Sequence, residues 1–179
     1  MMLQEETPTP SKTSSARQLR GGKSSVYEGG IYVPAVIRWP GVVEQGGRCD
    51  QLISVLDLLP TIAAAVEIPV KNEKPLDGEN MWPSIRDGQT APEKEIVLAS
   101  GKDLAIIHDN WKLVLIGEER ELFNLEVDPR ESRDISADEP DIVTHFSEKL
   151  APYVKMLENV RTWEPPGTPQ QGTGLPPRM

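Results

Sequence analysis

Cysteine, histidine and aromatic residues are scarce in this sequence: its 179 residues include one cysteine, two histidines and 5% aromatics. The single cysteine, Cys49, excludes a disulfide framework, a thiolate zinc site and an internal redox pair. Apolar runs are also short, and none approaches the roughly 18 residues that a membrane-spanning helix needs. The first residues carry acids where a signal peptide has bases, and they lack its apolar core. We therefore expect no membrane span and no signal peptide in this chain.

Positive charge is in deficit, since 19 Lys and Arg face 28 Asp and Glu, for a formal net charge of −9. Proteins that bind nucleic acid set cations against the phosphate backbone, so we expect no nucleic-acid partner. The acids are concentrated between Glu118 and Asp141. This run lacks the alternating oxygen ligands of a calcium-binding loop, and we interpret it as a solvated surface.

Composition divides the chain into four parts. Residues 1–18 are rich in Ser, Thr and Pro, and they cannot bury enough apolar surface to offset their ordering entropy, so we predict a disordered N-terminus. Residues 161–179 form a proline-rich tail without a packing pattern, which we also predict to be disordered. Between these tails, a glycine-punctuated region at 19–94 gives way to a strand-rich region at 95–160.

Region 19–94 contains two apolar segments. Residues 31–39 are rich in β-branched side chains and are predicted to form a strand, followed by a turn at Trp39-Pro40-Gly41. Residues 52–68 are predicted to begin as a strand and end as a helix, with Asp57 accepting hydrogen bonds from the first free backbone amides. A polar connection is predicted over 70–95.

Region 95–160 is predicted to form a short antiparallel sheet and one helix. Polar turns of about four residues separate four apolar runs that are typical of strands, at 95–99, 104–107, 112–116 and 121–125. Asp109-Asn110 and Gly117-Glu118 are predicted hairpin tips. The final helix is indicated by apolar residues at helical spacing: Ile142, Phe146, Leu150, Val154 and Leu157. Ser136 and Glu139 have capping-box spacing, and Pro152 is expected to kink or split the helix.

One local motif suggests nucleotide binding and is rejected. Gly22-Lys23-Ser24 matches the end of a phosphate-binding P-loop, but Arg17 occupies the position of the motif's first glycine. The residues before it are polar, where the motif requires a buried strand.

A longer series of short motifs runs in order through residues 19–157. The series comprises Arg20, Gly21-Gly22-Lys23, Glu28-Gly29-Gly30, Val33-Pro34, Trp39-Pro40-Gly41, Asp57-Leu58-Leu59-Pro60-Thr61, Leu76-Asp77-Gly78, Trp111-Lys112-Leu113-Val114, Glu121-Leu122-Phe123-Asn124-Leu125 and Asp128-Pro129-Arg130-Glu131. In this order it resembles the C-terminal portion of the formylglycine-dependent, arylsulfatase-type sulfatases. Each motif alone is weak, and their common order makes the resemblance specific. Tyr32 departs from the basic residue common at its place in that family.

The resemblance implies an α/β protein: the C-terminal part of the alkaline-phosphatase-like sulfatase fold, with a small four-stranded antiparallel sheet and a C-terminal helix. Residues 19–94 would end the catalytic domain, and residues 95–160 would form the C-terminal subdomain. The implied parent activity is hydrolysis of a sulfate ester in a small molecule or sugar. In the family, a formylglycine made from Cys or Ser attacks the sulfur, and calcium held by Asp and Asn polarises the sulfate. Such proteins are usually exported, whereas this sequence indicates no compartment.

The groups that perform this chemistry do not appear in the sequence. The formylglycine motif is Cys/Ser-x-Pro/Ala-x-Arg, whereas Cys49 is followed by Asp50-Gln51-Leu52-Ile53. The family's paired aspartates and its Asp-Asn-Gly metal loop have no counterpart before Lys23, and Asp109-Asn110 lies in a predicted hairpin. We therefore expect no catalytic residue, no metal ligand, no cofactor bound by this chain alone and no sulfatase activity of the chain alone.

Lys23 is the one functional residue that the resemblance transfers, as a substrate-binding residue, because the lysine of Gly-Gly-Lys reaches a sulfate oxygen in the family. Neighbouring glycines allow a close backbone approach, and an ammonium supplies a mobile point charge. The alternative is a solvated loop lysine. Glu28 either orients Lys23 or hydrogen-bonds the turn amides, and we favour the structural role. His108 and His145 inherit no role and are interpreted as structural or exposed.

Two hypotheses about function remain open. In the first, the chain is a piece of a working hydrolase that is separated from its N-terminal sulfatase portion. In the second, it is a non-catalytic sulfatase-like module that binds anionic sugars or a protein partner. A formylglycine motif and paired aspartates encoded upstream would favour the first.

Overall fold

The computed structural model describes residues 19–71, 74–91 and 93–158. The segments 1–18 and 161–179, predicted to be disordered, lie outside the described residues. Within the described ranges, no helix has the length and apolar character needed to cross a membrane. The elements in chain order are α1 (Glu28–Ile31), a 3₁₀ turn (Val55–Asp57), α2 (Leu58–Ala65), α3 (Trp82–Asp87), β1 (Glu95–Ser100), β2 (Asp103–His108), β3 (Trp111–Ile116), β4 (Glu119–Asn124) and α4 (Pro140–Glu158).

The four strands form one antiparallel meander in the order β1-β2-β3-β4. The register joins Ser100 to Asp103, His108 to Trp111 and Ile116 to Glu119, so each hairpin turns through two residues. The four predicted strands and both predicted hairpin tips are confirmed, but the predicted turns of about four residues are wrong. Residues 101, 109 and 117 have φ of +61°, +52° and +60°, as in the tight turns whose twist matches that of antiparallel strands.

Both faces of the sheet are covered, each by a different part of the chain. One face carries Leu104, Ile106, Leu113 and Leu122 and packs against Phe146 and Leu150 of α4. The opposite face carries Ala105, Val114 and Phe123 and packs against Val26, from the glycine-punctuated segment. Because neighbouring side chains on a strand point to opposite faces, the nearly continuous apolar runs of β2 and β3 reflect this two-sided burial.

Helix α4 begins at Pro140, as predicted, and runs unbroken to Glu158 with Pro152 inside it. Of the predicted kink or split at Pro152, the split is therefore wrong. Phe146 and Leu150 are buried before the proline, and Val154 and Leu157 pack on the same cluster after it, so both halves of α4 are held on the sheet. The predicted capping box is also wrong, because the Ser136 hydroxyl donates to Asp134 instead.

Region 19–94 differs most from expectation. The predicted strand at 31–39 is absent: α1 ends at Ile31, and the following residues form no strand, with Val36 95% exposed. A strand needs a partner for its backbone groups, and within the described ranges the only ladder is the four-stranded sheet. The predicted strand at the start of 52–68 is replaced by the 3₁₀ turn before α2. Helix α3 lies in the predicted polar connection and was missed; it ends at its C-cap Gly88, at φ +67°.

Candidate functional site

Lys23 lies at the tip of a hydrogen-bonded turn formed by Gly22–Ser25. The Ser25 amide donates to the Gly22 carbonyl at 3.0 Å, and Ser24 adopts φ +68°. From β1, the Ser100 hydroxyl donates to the Ser24 carbonyl at 2.8 Å, which ties the turn to the sheet. The Lys23 side chain is exposed and has no ion-pair or hydrogen-bond partner within the part of the chain that the structure describes. The turn thus presents a free ammonium to solvent on an ordered backbone.

Two glycines of α1 pack closely on this segment: Gly30 lies against the turn, and Gly29 lies against the residues just before it. A Cβ on Gly30 would come within 2.2 Å of the Ser25 carbonyl oxygen and 2.5 Å of the Gly22 carbonyl oxygen. A Cβ on Gly29 would come within 2.5 Å of the Arg20 carbonyl oxygen, which accepts a hydrogen bond from the Gly29 amide at 2.7 Å. No side chain fits between the two backbones, so the position of α1 sets the position of the turn.

Beneath α1 lies a group of three charged side chains, Glu28, Lys112 and Glu131, which we call the buried ion cluster. Lys112 and Glu131 are fully buried and Glu28 is 9% exposed. The Lys112 Nζ lies 2.9 Å from Glu28 Oε1 and 2.7 Å from Glu131 Oε1. The other oxygen of Glu131 accepts a hydrogen bond from the Glu28 amide at 2.8 Å. The cluster therefore joins β3, α1 and the loop after β4.

Burial raises the pKa of Glu131, although hydrogen bonds from Lys112 and from the Glu28 amide act in the opposite direction. Glu131 also adopts φ +53°, a conformation that costs a residue with a side chain some strain. The loop is held in shape by Asp128, whose carboxylate accepts hydrogen bonds from the amides of Ser132 and Arg133 at 2.8 and 2.9 Å. The Asp128-Pro129-Arg130-Glu131 motif thus positions the Glu131 carboxylate beside Lys112.

A second contact fixes the start of the same segment. The Arg20 guanidinium stacks 4.0 Å from the centroid of the Tyr27 ring and donates to Glu121 Oε1 at 2.9 Å. The Tyr27 hydroxyl donates to the other oxygen of Glu121, and burial together with this bond raises the pKa of Tyr27. Arg20 also donates to the Glu131 carbonyl at 3.2 Å. Residues 20–28 are therefore held at both ends on β3, β4 and the loop after β4.

The predicted role of Asp57 is wrong in detail. Its carboxylate does not accept the first free amides of α2. Instead it accepts a hydrogen bond from the Ser54 amide at 2.6 Å, which closes a capping box with Ser54. It also accepts hydrogen bonds from the Glu79 amide at 2.8 Å and from the Lys94 ammonium. Burial opposes ionisation of Asp57, but these hydrogen bonds outweigh it and lower its pKa. Asp57 therefore joins the 3₁₀ turn before α2 to Glu79 and Lys94.

The remaining candidates from the sequence do not gather at Lys23. Cys49 is exposed and His145 is exposed on α4. His108 ends β2, with Nδ1 3.7 Å from Glu95 and Nε2 3.6 Å from Asp109. Glu28 contacts neither Lys23 nor the turn amides, because its carboxylate faces Lys112.

One group within the described ranges brings possible metal ligands together: Glu93, His108 and Asp109, whose ligand atoms lie within 4.8 Å of one another. Calcium, the ion that the resemblance implies, takes roughly six to eight oxygen ligands. This group offers two exposed carboxylates and a ring nitrogen. It therefore does not fit a calcium site.

The residues that support the segment around Lys23 all belong to the quoted motifs: Arg20, Glu28, Lys112, Glu121 and Glu131. Of these only Glu28 had been considered from the sequence, for a structural role, and the other four had no predicted role. A charged residue in an otherwise apolar strand, as in Trp111-Lys112-Leu113-Val114, was the available signal, because lysine is almost never fully buried without a partner.

Comparison with known proteins identifies this architecture. No protein-family model matches the chain. The N-acetylgalactosamine-6-O-sulfatase of Bacteroides thetaiotaomicron is 27% identical over 160 residues, covering 80% of this chain and 30% of the relative. Human arylsulfatase A is 37% identical over 91 residues, covering 51% of this chain and 18% of the relative. The crystal structure of Ps i-CgsB is 31% identical, with a TM-score of 0.66 over 76% of this chain and 32% of that one.

A four-stranded meander with α4 on one face and a glycine-rich, lysine-bearing segment on the other defines the C-terminal part of an alkaline-phosphatase-like α/β protein, and the predicted fold class is confirmed. The chain belongs to the sulfatase family and corresponds to its C-terminal portion, as the sequence predicted. It spans about a third or less of the length of the relatives described above.

Proposed function

We propose that this chain supplies the C-terminal part of a sulfate-ester hydrolase and that Lys23 is its contact to the sulfate group. The observation that carries the proposal is the exposed Lys23 ammonium on an ordered turn, backed by the close-packed Gly29 and Gly30. An anionic ester resists attack unless its charge is neutralised, and a cation fixed before the reaction does this without reorganisation. Since no described carboxylate pairs with Lys23, its ammonium is available to an anionic group.

The other reacting groups would come from outside the described residues. Cys49 lies in the wrong sequence context for a formylglycine, and the Glu93, His108 and Asp109 group does not suit calcium. We therefore assign to this chain binding and orientation of the sulfate, and not attack on the sulfur.

We also propose that residues 19–94 end the catalytic domain and that residues 95–160 form a C-terminal subdomain. Support comes from the distribution of exposed apolar side chains, which are concentrated in one stretch. Between residues 32 and 70 the exposed large apolar side chains are Tyr32, Val33, Val36, Ile37, Trp39, Val42, Ile53, Val55, Leu56, Leu58, Leu59, Ile62, Val66, Ile68 and Val70. Exposed apolar side chains grouped in this way are typical of an interaction site. The N-terminal sulfatase portion, whether in the same polypeptide or separate, is the partner that we propose for it.

The substrate class that we propose is a sulfated sugar or sulfated small molecule. Support comes from the names of the relatives, which include an N-acetylgalactosamine-6-O-sulfatase and steryl-sulfatases. A crystal structure of Ps i-CgsB contains k-i-k-neocarrahexaose.

The test combines this chain with the N-terminal two thirds of Ps i-CgsB, truncated where its match to this chain begins. These 179 residues alone should not turn over a chromogenic aryl sulfate, with or without calcium. The assembled pair should turn it over, and Lys23→Ala should lower kcat by about 100-fold or more. Lys102→Ala, which removes an exposed lysine from the β1–β2 turn, is the matched control and should leave kcat unchanged. Equal turnover by the Lys23→Ala and wild-type pairs would refute the role of Lys23.

The second candidate, a non-catalytic module for anionic sugars, is favoured by the same turn, because an ordered lysine can bind an anion without a reaction. A single exposed charge pair at about 4 Å is worth roughly 1 kcal/mol in water, which ordering costs would cancel. We therefore expect no measurable affinity of these residues alone for a sulfated oligosaccharide by titration calorimetry. Submillimolar binding that is lost in Lys23→Ala would favour the module over the hydrolase.

A further inference from the structure

Lys112 occupies a position where charge is costly. Its side chain is fully buried, on the face of the sheet that also buries Val114 and Phe123. A buried ion group gains little net stability over apolar residues of similar volume, because desolvation offsets the attraction. Such a group instead fixes the positions of its partners: the Lys112 Nζ lies 2.9 Å from the Glu28 carboxylate and 2.7 Å from the Glu131 carboxylate.

The buried ion cluster holds Glu28 by two separate contacts. Its carboxylate receives the Lys112 ammonium, and its amide donates to the Glu131 carboxylate at 2.8 Å. Glu28 is the first residue of α1, a helix of four residues with two glycines. Such a helix is too short to be stable by itself, so its placement depends on these contacts.

Helix α1 contacts the Gly22–Ser25 turn, which carries Lys23, through backbone atoms with no side chain between them. The position of α1 therefore determines the position of the turn. Gly30 lies against the carbonyl oxygens of Gly22 and Ser25, the two residues that close the turn. A shift of Glu28 therefore moves the backbone on both sides of Lys23. The path from Lys112 to Lys23 consists of one ion pair, one short helix and one backbone contact.

We propose that Lys112 is a positioning residue, which acts through Glu28 and α1 to fix the turn that carries Lys23. The part of the proposal that concerns the reaction rests on the proposed function of Lys23, whereas the part that concerns the turn does not. Lys112 itself touches no substrate, because it is enclosed by the sheet and the loop after β4.

The first measurement is amide hydrogen exchange at Ser25, whose N–H closes the turn. Glu28→Ala removes the ion pair between α1 and Lys112, while Lys112 stays paired with Glu131 and the residue-28 amide keeps its Glu131 acceptor, and it should speed Ser25 exchange by about tenfold or more. Exchange in β3 should stay within about twofold of wild type. Glu28→Gln keeps an oxygen for Lys112 and should preserve slow Ser25 exchange.

Lys112→Met should speed Ser25 exchange in the same way. The matched control is Lys94→Met, which removes another lysine with a largely buried side chain, the partner of Asp57, outside this path. Unchanged Ser25 exchange in Glu28→Ala would overturn the proposal, as would an equal increase in Lys94→Met. If Lys112→Met does not fold, the comparison of Glu28→Ala with Glu28→Gln decides.

The second measurement is steady-state kinetics of the assembled enzyme described above. A displacement of about 1 Å in a positioned group can cost about 100-fold in rate. We expect Glu28→Ala to lower kcat on this scale with a smaller change in KM, and Glu28→Gln to restore most of the rate. If Lys23→Ala leaves kcat intact, the proposed function fails, while the Ser25 exchange rates still decide whether Lys112 positions the turn. If Lys23→Ala abolishes turnover and Glu28→Ala changes neither readout, the positioning role alone fails.

Discussion

Gly78 lies against the backbone of Leu56 so closely that a Cβ on residue 78 would come within 2.0 Å of the Leu56 carbonyl oxygen. The contact joins the loop after α2 to the 3₁₀ turn that precedes α2, next to the buried Asp57. Only glycine fits there, since the atom it meets is rigid backbone.

Gly78→Ala should therefore destabilise the chain by about 1–3 kcal/mol, the usual cost of forcing extra volume into packed structure. The measurement is urea denaturation followed by circular dichroism. Gly47→Ala is the matched control, because a Cβ there would have no neighbour closer than 3.4 Å and its φ is not positive. Equal stability of the two variants would show that the loop yields without cost.

The free energy of unfolding should fall much more when the buried ion cluster loses its cation than when it loses one of its anions. Lys112→Met leaves the carboxylates of Glu28 and Glu131 buried together without a cation, which should cost about 3–5 kcal/mol of unfolding free energy. Glu131→Gln leaves a neutral Lys112–Glu28 pair and an oxygen for the Glu28 amide, so its cost should be much smaller. Chemical denaturation of both variants at pH 7 tests this, and equal losses would contradict the charge balance that we infer.

Glu131 should also make stability depend on pH in an unusual direction. Burial raises its pKa, so the folded chain binds this proton more tightly than the unfolded chain does. Its contribution to stability therefore grows as the pH falls through the folded pKa, and is smallest at neutral pH. The stability difference between wild type and Glu131→Gln, followed by denaturation from pH 7 to pH 4, should shift in favour of wild type on acidification. A shift in favour of Glu131→Gln would reverse the assigned sign.

Asp57 should show the opposite and more common behaviour. Burial opposes its ionisation, but hydrogen bonds from the Glu79 amide, Lys94 and the Ser54 amide lower its pKa. Its stabilisation is fully present above the unfolded value of about 3.9 and is lost as the pH falls through the lower folded pKa. Asp57→Asn should cost about 1.5–3 kcal/mol at pH 7 and much less at pH 2–3. Denaturation curves for the two proteins at both pH values would reveal a constant difference if ionisation has no part in the effect.

Protection from hydrogen exchange should divide the chain unevenly. The residues of β2 and β3 are buried on both faces, whereas residues 32–53 form no helix or strand, are mostly exposed and lie outside the sheet. For these residues alone we expect slow exchange in the sheet and α4, intermediate exchange at 20–31, and fast exchange at 32–53. Exchange measured by mass spectrometry or NMR tests the order. Uniformly slow exchange from residue 19 onward would show that the exposed apolar surface is already covered.

The sheet could be predicted because the residue patterns that specify its strands and turns are local in the sequence. Four apolar runs with turn residues between them define strands, and left-handed φ values at Asp109 and Gly117 suit the tight hairpins. The final helix was predicted by apolar residues at helical spacing, but the effect of Pro152 was overestimated. A proline costs one hydrogen bond and some crowding, and packing of the helix on the sheet outweighs that cost in this structure.

The segment at 31–39 shows the limit of such reasoning. Its β-branched side chains favour a strand, yet a strand exists only beside another strand, and the described residues provide none for it. Local preference predicted the conformation that the segment would adopt with a partner, and not the unpaired segment that is found here.

The sequence by itself determined the family, the fold class, the order of the strands and the identity of the one lysine with an expected role. Only the tertiary structure decided what supports that lysine. Glu28 and Lys112 are 84 residues apart, and Glu28 and Glu131 are 103 apart, so no periodicity links them. Whether a charged side chain is solvated or buried depends on what the fold places over it, and a buried charge must have a partner. The sheet places β3 beneath α1, and that contact turns three charges, separate in the sequence, into one cluster.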